Sequence, residues 1–444
     1  MAGNPLVDVF RIRDLRQRLI FTFAVLIVFR IGATIPIPGI NVNALQLYYL
    51  TAQSSASGVI GFADYIDFFA GGGFKNFSVF MLGIMPYISM SIIMQLLILV
   101  FPKLKKISME DGGRKKIARY TRYGTVIVCL IQSYAATVYA RQIPDAVTMS
   151  RLAYSLIAIV TVTTGSMLLV WMGEQITQRG VGNGISLLIF AGIVARMPEA
   201  FIVLFGRIRT KDINPVFMIV VLAMFVVVIA LVIYEQQGQR KIPVHYAKRV
   251  IGRKMYGGQS TYIPFKINPS GVIPVIFASS FMTFPAMLLQ IFAQDAIASG
   301  TGFLYGLYQF SIATSTSSVG WGYSLANAIV YFLLIVGFTF FYTYATFNPA
   351  EVAQNINQNG GFIPGIRAGK PTTDYLTSIL GKLTWFGAMF LSLIAILPML
   401  TRFSAVDISF GGTGILIVVG VALETVQQLE SQLVMRHYKG FLEK

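Results

Sequence analysis

Ten stretches of this chain stay apolar for roughly 18 residues or more, the length a helix needs to cross about 30 Å of hydrocarbon. They cover residues 19–38, 79–101, 123–140, 152–173, 184–206, 214–234, 271–293, 324–347, 379–400 and 410–429. No other feature restricts the fold so sharply. Inside a bilayer every backbone N–H and C=O must find its partner within the protein, so a spanning element is a helix or part of a closed barrel. Uninterrupted runs of this length are helical. The expected fold is therefore an all-α polytopic membrane protein with about ten transmembrane helices. Charge content agrees, because Asp, Glu, Lys and Arg make up 12% of the 444 residues, about half the share in a soluble domain.

The formal net charge is +17, and where the basic residues sit decides what it means. With a cytoplasmic N-terminus, one side of the membrane collects Arg11, Arg13, Arg16 and Arg18, the run from Lys103 to Arg122, the run from Arg240 to Lys266, Arg367, Lys370 and a basic tail. The opposite loops are nearly free of charge, which is the positive-inside pattern and places both termini in the cytoplasm. Arg207, Arg209 and Lys211 break it. A miscounted helix, if there is one, belongs near 199–214. The basic N-terminus ahead of an apolar run resembles a signal peptide, but the run is long and leads into Ile35-Pro36-Ile37-Pro38-Gly39-Ile40 in place of a small-residue cleavage site. It reads as a retained first helix. The single cysteine, Cys129, lies within a span and excludes an intramolecular disulfide.

Most connections are short, so the long ones are where function is expected. From Gly39 to Ser78 the chain passes through Asp64-Tyr65-Ile66-Asp67-Phe68-Phe69-Ala70-Gly71-Gly72-Gly73, too short and too polar to cross a bilayer. Two readings stand: a short amphipathic or re-entrant helix lining a cavity, or a surface loop on the outer leaflet. The connections 102–122, 235–270 and 348–378 all fall on the cytoplasmic side. Arg240, Lys241, Lys248 and Arg249, continuing to Arg253 and Lys254, interleave cations with aromatic residues. That pattern suits rRNA phosphates or an acidic protein, or is simply the positive-inside signal. Loops of roughly thirty residues exceed what topology requires.

Catalytic constellations are missing. His245 and His437 are far apart in predicted cytoplasmic segments and form no metal cluster. Gly365-Ile366-Arg367-Ala368-Gly369-Lys370-Pro371 has a phosphate-loop look, but its glycine spacing is one residue short and Pro371 replaces the magnesium-binding hydroxyl. No cofactor is implied and the chain reads as a non-enzyme. A secondary transporter of small solutes is the alternative, yet ion coupling usually needs a carboxylate or histidine near a helix midplane. Glu174 and Glu424 sit towards helix ends, while Arg30 and Arg196 are the clear charges within spans. Arg30 either snorkels or pairs inside the bundle. What the core offers is isoleucine at helical spacing: Ile84 with Ile88, beside Gly83 and Pro86, and Ile185 with Ile189, beside Gly180, Gly182 and Gly184. Residues four apart share a helix face, and on spacing alone such pairs are packing or lipid-facing.

The run Phe80-Met81-Leu82-Gly83-Ile84-Met85-Pro86-Tyr87-Ile88-Ser89, then Gln95-Leu96-Leu97 and Arg119-Tyr120-Thr121-Arg122-Tyr123-Gly124, closely resembles the SecY protein-translocation channel family. So do Trp171-Met172-Gly173-Glu174-Gln175-Ile176-Thr177, Gly182-Asn183-Gly184-Ile185-Ser186, Gly257-Gly258-Gln259-Ser260-Thr261, Gly271-Val272-Ile273-Pro274, Phe347-Asn348-Pro349 and Phe362-Ile363-Pro364-Gly365-Ile366-Arg367. Stretches 139–150, 199–216 and 294–323 match poorly. The resemblance implies two pseudo-symmetric five-helix halves, 1–206 and 207–444, around a central pore. It implies a closing ring of Ile84, Ile88, Ile185, Ile189, Ile276 and Ile417, all branched and aliphatic, able to exclude ions by dewetting without offering a polypeptide hydrogen bonds. A plug from Phe62 to Asn76 would include Asp64, Asp67, Phe68 and a hinge at Gly71, Gly72 and Gly73. Helices at 79–101 and 271–293 would part sideways to release hydrophobic segments into lipid. Arg367 and the finger of Arg249, Arg253 and Lys254 would dock a ribosome, through rRNA, or the SecA motor ATPase, with Ala368 standing where many relatives carry proline. The same resemblance implies SecE-like and SecG-like membrane subunits, signal peptides, nascent chains and membrane lipids as partners, in the cytoplasmic (inner) membrane of a bacterium.

Overall fold

The structure is a computed structural model that describes residues 12–53, 67, 69–209, 215–246, 249–251, 254–256, 260–293, 297, 300–313, 321–401 and 412–442. Its helices are α1 (Arg13–Gly32), α2 (Val42–Gln53), α3 (Met85–Val100), α4 (Pro102–Met109), α5 (Gly113–Gln142), α6 (Arg151–Arg179), α7 (Gly184–Arg209) and α8 (Pro215–Gln237). They continue with α9 (Ile273–Phe292), α10 (Phe303–Ile312), α11 (Trp321–Thr346), α12 (Pro349–Gln358), α13 (Lys370–Thr401) and α14 (Gly412–Leu442). Each of the ten apolar runs carries a helix, namely α1, α3, α5 to α9, α11, α13 and α14. Among the described residues five stretches are by themselves long and apolar enough to cross a membrane: Gly113–Arg141, Arg151–Arg179, Trp321–Gln358, Lys370–Leu397 and Thr413–Leu433.

Three expected loops contain regular structure. Within 102–122, Phe101 is extended and Pro102 opens α4, so the chain turns by 104° from α3 into a short basic helix before α5 begins. Proline restricts the residue before it and cannot donate to the preceding turn, which ends α3 there. Within 235–270 lie β1 (Gln239–Tyr246), β2 (Arg249–Ile251), β3 (Lys254–Tyr256) and β4 (Ser260–Lys266). Within 348–378 lie α12, β5 (Gly361–Phe362) and the start of α13. A small sheet is thus added to the helical fold. Its order is β4-β1-β5, all antiparallel, with β2 and β3 forming a separate hairpin. Ile242 and Val244 alternate inward along β1 and pack with Phe265 against Ile356, Leu376 and Leu380 of the neighbouring helices, the period-two pattern of a half-buried strand.

The stretch 199–214 holds no additional helix among the described residues. α7 runs through it to Arg209 and past the predicted boundary at 206/207, and α8 begins at Pro215. α5 packs on α3 and α6, and α7 on α1 and α6; in the second half α13 packs on α11 and α14, and α8 on α14. The two groups meet where α9 lies against α3 and α5, and where α14 lies against α7. One large apolar cluster spans this junction and draws on helices of both halves.

Candidate functional site

Two of the helices at the junction begin with the same device. Ahead of α3, Gly83 adopts φ +57° and Pro86 sits in the first turn; ahead of α9, Gly271 adopts φ +60° and Pro274 sits in the first turn. The residues that follow the glycines, Ile84 and Val272, have φ/ψ of −97°/0° and −92°/−4°. Ile84 O accepts from Tyr87 N at 3.1 Å and Ile88 N at 3.2 Å, and Val272 O accepts from Val275 N at 3.1 Å and Ile276 N at 3.3 Å. Positive φ favours glycine because an L side chain would crowd the following carbonyl. Proline is tolerated where a helix start leaves its N–H without an intrahelical partner. The two Gly-x-x-Pro signals put Ile88 and Ile276 at equivalent positions of their helices.

These positions are buried among the other expected ring residues. Ile84 and Ile88 are each 5% exposed, Ile189 3%, Ile276 7% and Ile417 0%, so none of the five faces lipid, and all belong to the one cluster at the junction. Ile185 is partly buried and packs against that cluster. Its place is set by the α6–α7 corner, where Thr177 Oγ1 accepts from Gly184 N at 2.9 Å and Asn183 Oδ1 from Ile185 N at 3.1 Å. A side chain at Gly184 would collide with the carbonyl of Gly173.

Of the expected plug, Phe62, Asp64 and Phe68 lie outside the described residues. The described part, Asp67 and residues 69–76, is largely buried in the protein, which is not the exposure of a loop lying on the outer leaflet. Gly71 and Gly73 are buried and Gly72 half-buried, while Asn76 is exposed and donates its N–H to Gly72 O at 3.4 Å. Gly71 and Gly72 both have positive φ, and a Cβ on Gly71 would stand 2.7 Å from Gly192 Cα. The segment therefore lies backbone to backbone on α7. Two side chains bind it further. Arg30 Nη1 of α1 donates to Gly71 O at 2.7 Å. Arg196 Nη1 of α7 pairs with Asp67 Oδ2 at 2.7 Å, with side-chain exposures of 19% and 0%. Lys75 N donates to the other carboxylate oxygen, Oδ1, at 2.9 Å.

Both charges that stand out within the spans are thus directed at one segment, and Arg30 takes the pairing alternative over snorkelling. The Arg196–Asp67 pair escaped the sequence reading. Its signal was present: an arginine within a span requires a partner, and Asp64 and Asp67 are the acids of the polar stretch between the first two spans.

In the long connections, Arg240 is exposed on β1, while Arg249 of β2 stands opposite Tyr256 and Lys254 of β3 opposite Ile251. Lys248 and Arg253 lie outside the described residues. Arg367 sits in the turn between β5 and α13, where Thr372 Oγ1 donates to its carbonyl at 2.8 Å, and Lys370 opens α13. β1 pairs with β5 through His245 opposite Phe362, with ring centroids 6.0 Å apart. The two long connections that carry these residues therefore form one structural unit.

A family model described as SecY matches residues 78–426. The chain belongs to the SecY family. Its relatives include a protein translocase subunit SecY from Streptomyces scabiei, 42% identical with 98% of each chain covered. A protein of the same description from Thermotoga maritima is 40% identical, with 98% of this chain and 97% of that one covered. Among solved structures, one described as the structure of a protein conducting channel superposes with a TM-score of 0.61 at 20% identity, covering 94% of this chain and 92% of that one. Sec61 in a canine ribosome-channel complex from the endoplasmic reticulum superposes at 0.56 with 17% identity, covering 94% and 92%. The SecY architecture of ten spanning helices in two five-helix halves is the fold of this chain, and the chain is a multi-pass membrane protein. Membership replaces the solute-transporter alternative.

Proposed function

We infer that this SecY-family chain forms the polypeptide-conducting pore of a protein translocase and releases hydrophobic segments sideways into lipid. The observation that carries the reading is the burial of isoleucines from α3, α7, α9 and α14 at the junction of the two halves, with the Asp67–Asn76 stretch fastened beside them. Ile84, Ile88, Ile185, Ile189, Ile276 and Ile417 form the ring. Branched aliphatic side chains suit it, because a narrow apolar waist dewets and blocks ions while giving a passing chain nothing to bond. The halves divide at the 207 boundary or in the short connection after α7. α3 and α9 are the pair that parts, and partition selects the segments that leave: enough apolar length favours lipid over an aqueous pore.

The β1–β5 unit with Arg240, Lys248, Arg249, Arg253, Lys254, Arg367 and Lys370 is the docking face for a ribosome or the SecA motor, and SecE-like and SecG-like subunits complete the channel. Its cations suit phosphates or an acidic protein surface. The channel lies in the bacterial cytoplasmic membrane with both termini inside. Photo-crosslinking tests the reading: probes at Ile84 and Ile276 are expected to capture a stalled secretory precursor, and a probe at Lys254 the motor or the ribosome. A precursor that labels neither isoleucine while being translocated overturns it.

A further inference from the structure

The turn that launches α9 is flanked by two carboxyl groups that play no part in the pore ring. Glu235, in the last turn of α8, is 2% exposed, and among the described residues neither of its carboxyl oxygens has a hydrogen-bond partner. Gln236 Nε2 beside it is likewise buried and without one among the described residues. The Asn268 amide stands near Glu235 but outside hydrogen-bond geometry. That amide holds the turn itself: Nδ2 donates to Gly271 O at 3.0 Å, and Oδ1 accepts from Ser270 Oγ at 2.8 Å. From the other side Glu424 of α14 closes on the same turn, its Oε1 3.3 Å from where a Cβ on Gly271 would stand. A cavity of ≈ 40 Å³ opens beside the turn on the Glu424 side, lined in part by Gln236, Lys266, Asn268, Gly271, Glu424 and Gln427.

An ionised carboxylate buried without a donor carries a desolvation penalty that a neutral carboxylic acid largely avoids. The charged groups facing this turn give Glu235 no relief. Lys266, at the end of β4, donates to Gln427 Oε1 at 3.1 Å and its charge acts on Glu424. Tyr342 of α11 lies within electrostatic reach of Glu424.

We propose that Glu235 is a proton-binding site, and that its proton keeps the 267–272 turn and the start of α9 in their closed arrangement. Loss of the proton would leave a buried charge with no partner, which the turn can relieve only by opening to water. α9 packs on α3 and α5 across the junction of the halves, so an opened turn shifts the balance towards parting. In that last step the proposal rests on α3 and α9 being the pair that parts.

Two measurements on the channel reconstituted with its membrane subunits test it separately. Infrared difference spectra at neutral pH are expected to show a protonated-carboxyl C=O band in the unmodified channel that Glu235→Gln removes. A spectrum unchanged by the substitution overturns the proton site, whatever the channel conducts. Resting conductance is expected to rise several-fold as cytoplasmic pH is raised, and Glu235→Gln, which mimics the protonated acid in shape, is expected to flatten that rise. Equal pH profiles for the two channels overturn the coupling to α9.

Discussion

The turns before α3 and α9 share a backbone and differ in everything around it. Both carry a glycine at φ near +60° and a proline three residues later, and both place an isoleucine four residues beyond the first accepting carbonyl, at Ile88 and Ile276. In the first half a Cβ on Gly83 would stand 3.2 Å from Ala70 Cα, so that turn is braced by the stretch that Arg30 and Arg196 hold. In the second half the corresponding neighbour of Gly271 is the Glu424 carboxyl group. A repeated backbone device has thus been given two kinds of neighbour. One is mechanical and tied to Arg30 and Arg196; the other is polar and ionisable. A helix start needs only the glycine and the proline, which leaves the surroundings free to specialise.

The largest way to break this comparison is to remove the brace on one side. Arg196→Ala leaves Asp67 buried at 0% exposure without its cation, and breaking a buried pair from one side costs about 3–5 kcal/mol. The stretch from Asp67 to Asn76 should leave its seat on α7, and resting ion conductance in planar bilayers should rise further than any substitution at Gly83, Gly271, Ile88 or Ile276 can raise it. The Asp67→Asn and Arg196→Gln double variant should leak less than the two single variants predict in sum, because neither unpaired charge remains. Additive effects would show that the pair does not hold the segment.

How far the sequence revealed this arrangement depends on the kind of signal. The ten spans were legible because apolar length is a property of each run alone, and a helix lies on each run. α4 and the first turns of α5 were not: Lys103, Lys105, Lys106, Arg114, Lys115 and Lys116 make them read as a loop, although a polar helix beyond the hydrocarbon needs no apolar run. The strands were missed because β1 mixes Arg240, Lys241 and Pro243 with only two inward residues, Ile242 and Val244, too short a pattern to separate from a basic loop. Ile84 and Ile88 could be seen to share a face, but spacing within one helix says nothing about which other helices meet that face. The Arg196–Asp67 pair joins residues far apart in sequence, and only the fold brings them to 2.7 Å.

A smaller and more discriminating change acts on the two glycines themselves. Gly83→Ala and Gly271→Ala both place a Cβ in the left-handed region, a conformational penalty of roughly 1–2 kcal/mol. Backbone strain should therefore be alike, and any difference in outcome comes from the neighbours. Gly83→Ala presses on Ala70 and should raise resting conductance at every pH. Gly271→Ala presses on Glu424 and should act chiefly on the pH dependence of conductance. If both variants shift conductance equally and neither alters its pH profile, the two turns are interchangeable and the contrast between them has no functional weight.

The finest test concerns the equivalence of Ile88 and Ile276. Both are nearly fully buried, at 5% and 7% exposure, in the same apolar cluster and at matching positions of their helices. Removing one methylene from a buried isoleucine costs about 0.5–1.5 kcal/mol, and valine keeps the branching that fills a narrow waist. Ile88→Val and Ile276→Val should each raise resting conductance slightly and by similar amounts. The pair of changes should exceed their sum, because two narrowed side chains on adjoining helices open one shared gap. A strictly additive pair would mean that the two side chains fill separate spaces, and the common backbone of their turns would then have no counterpart in a common constriction.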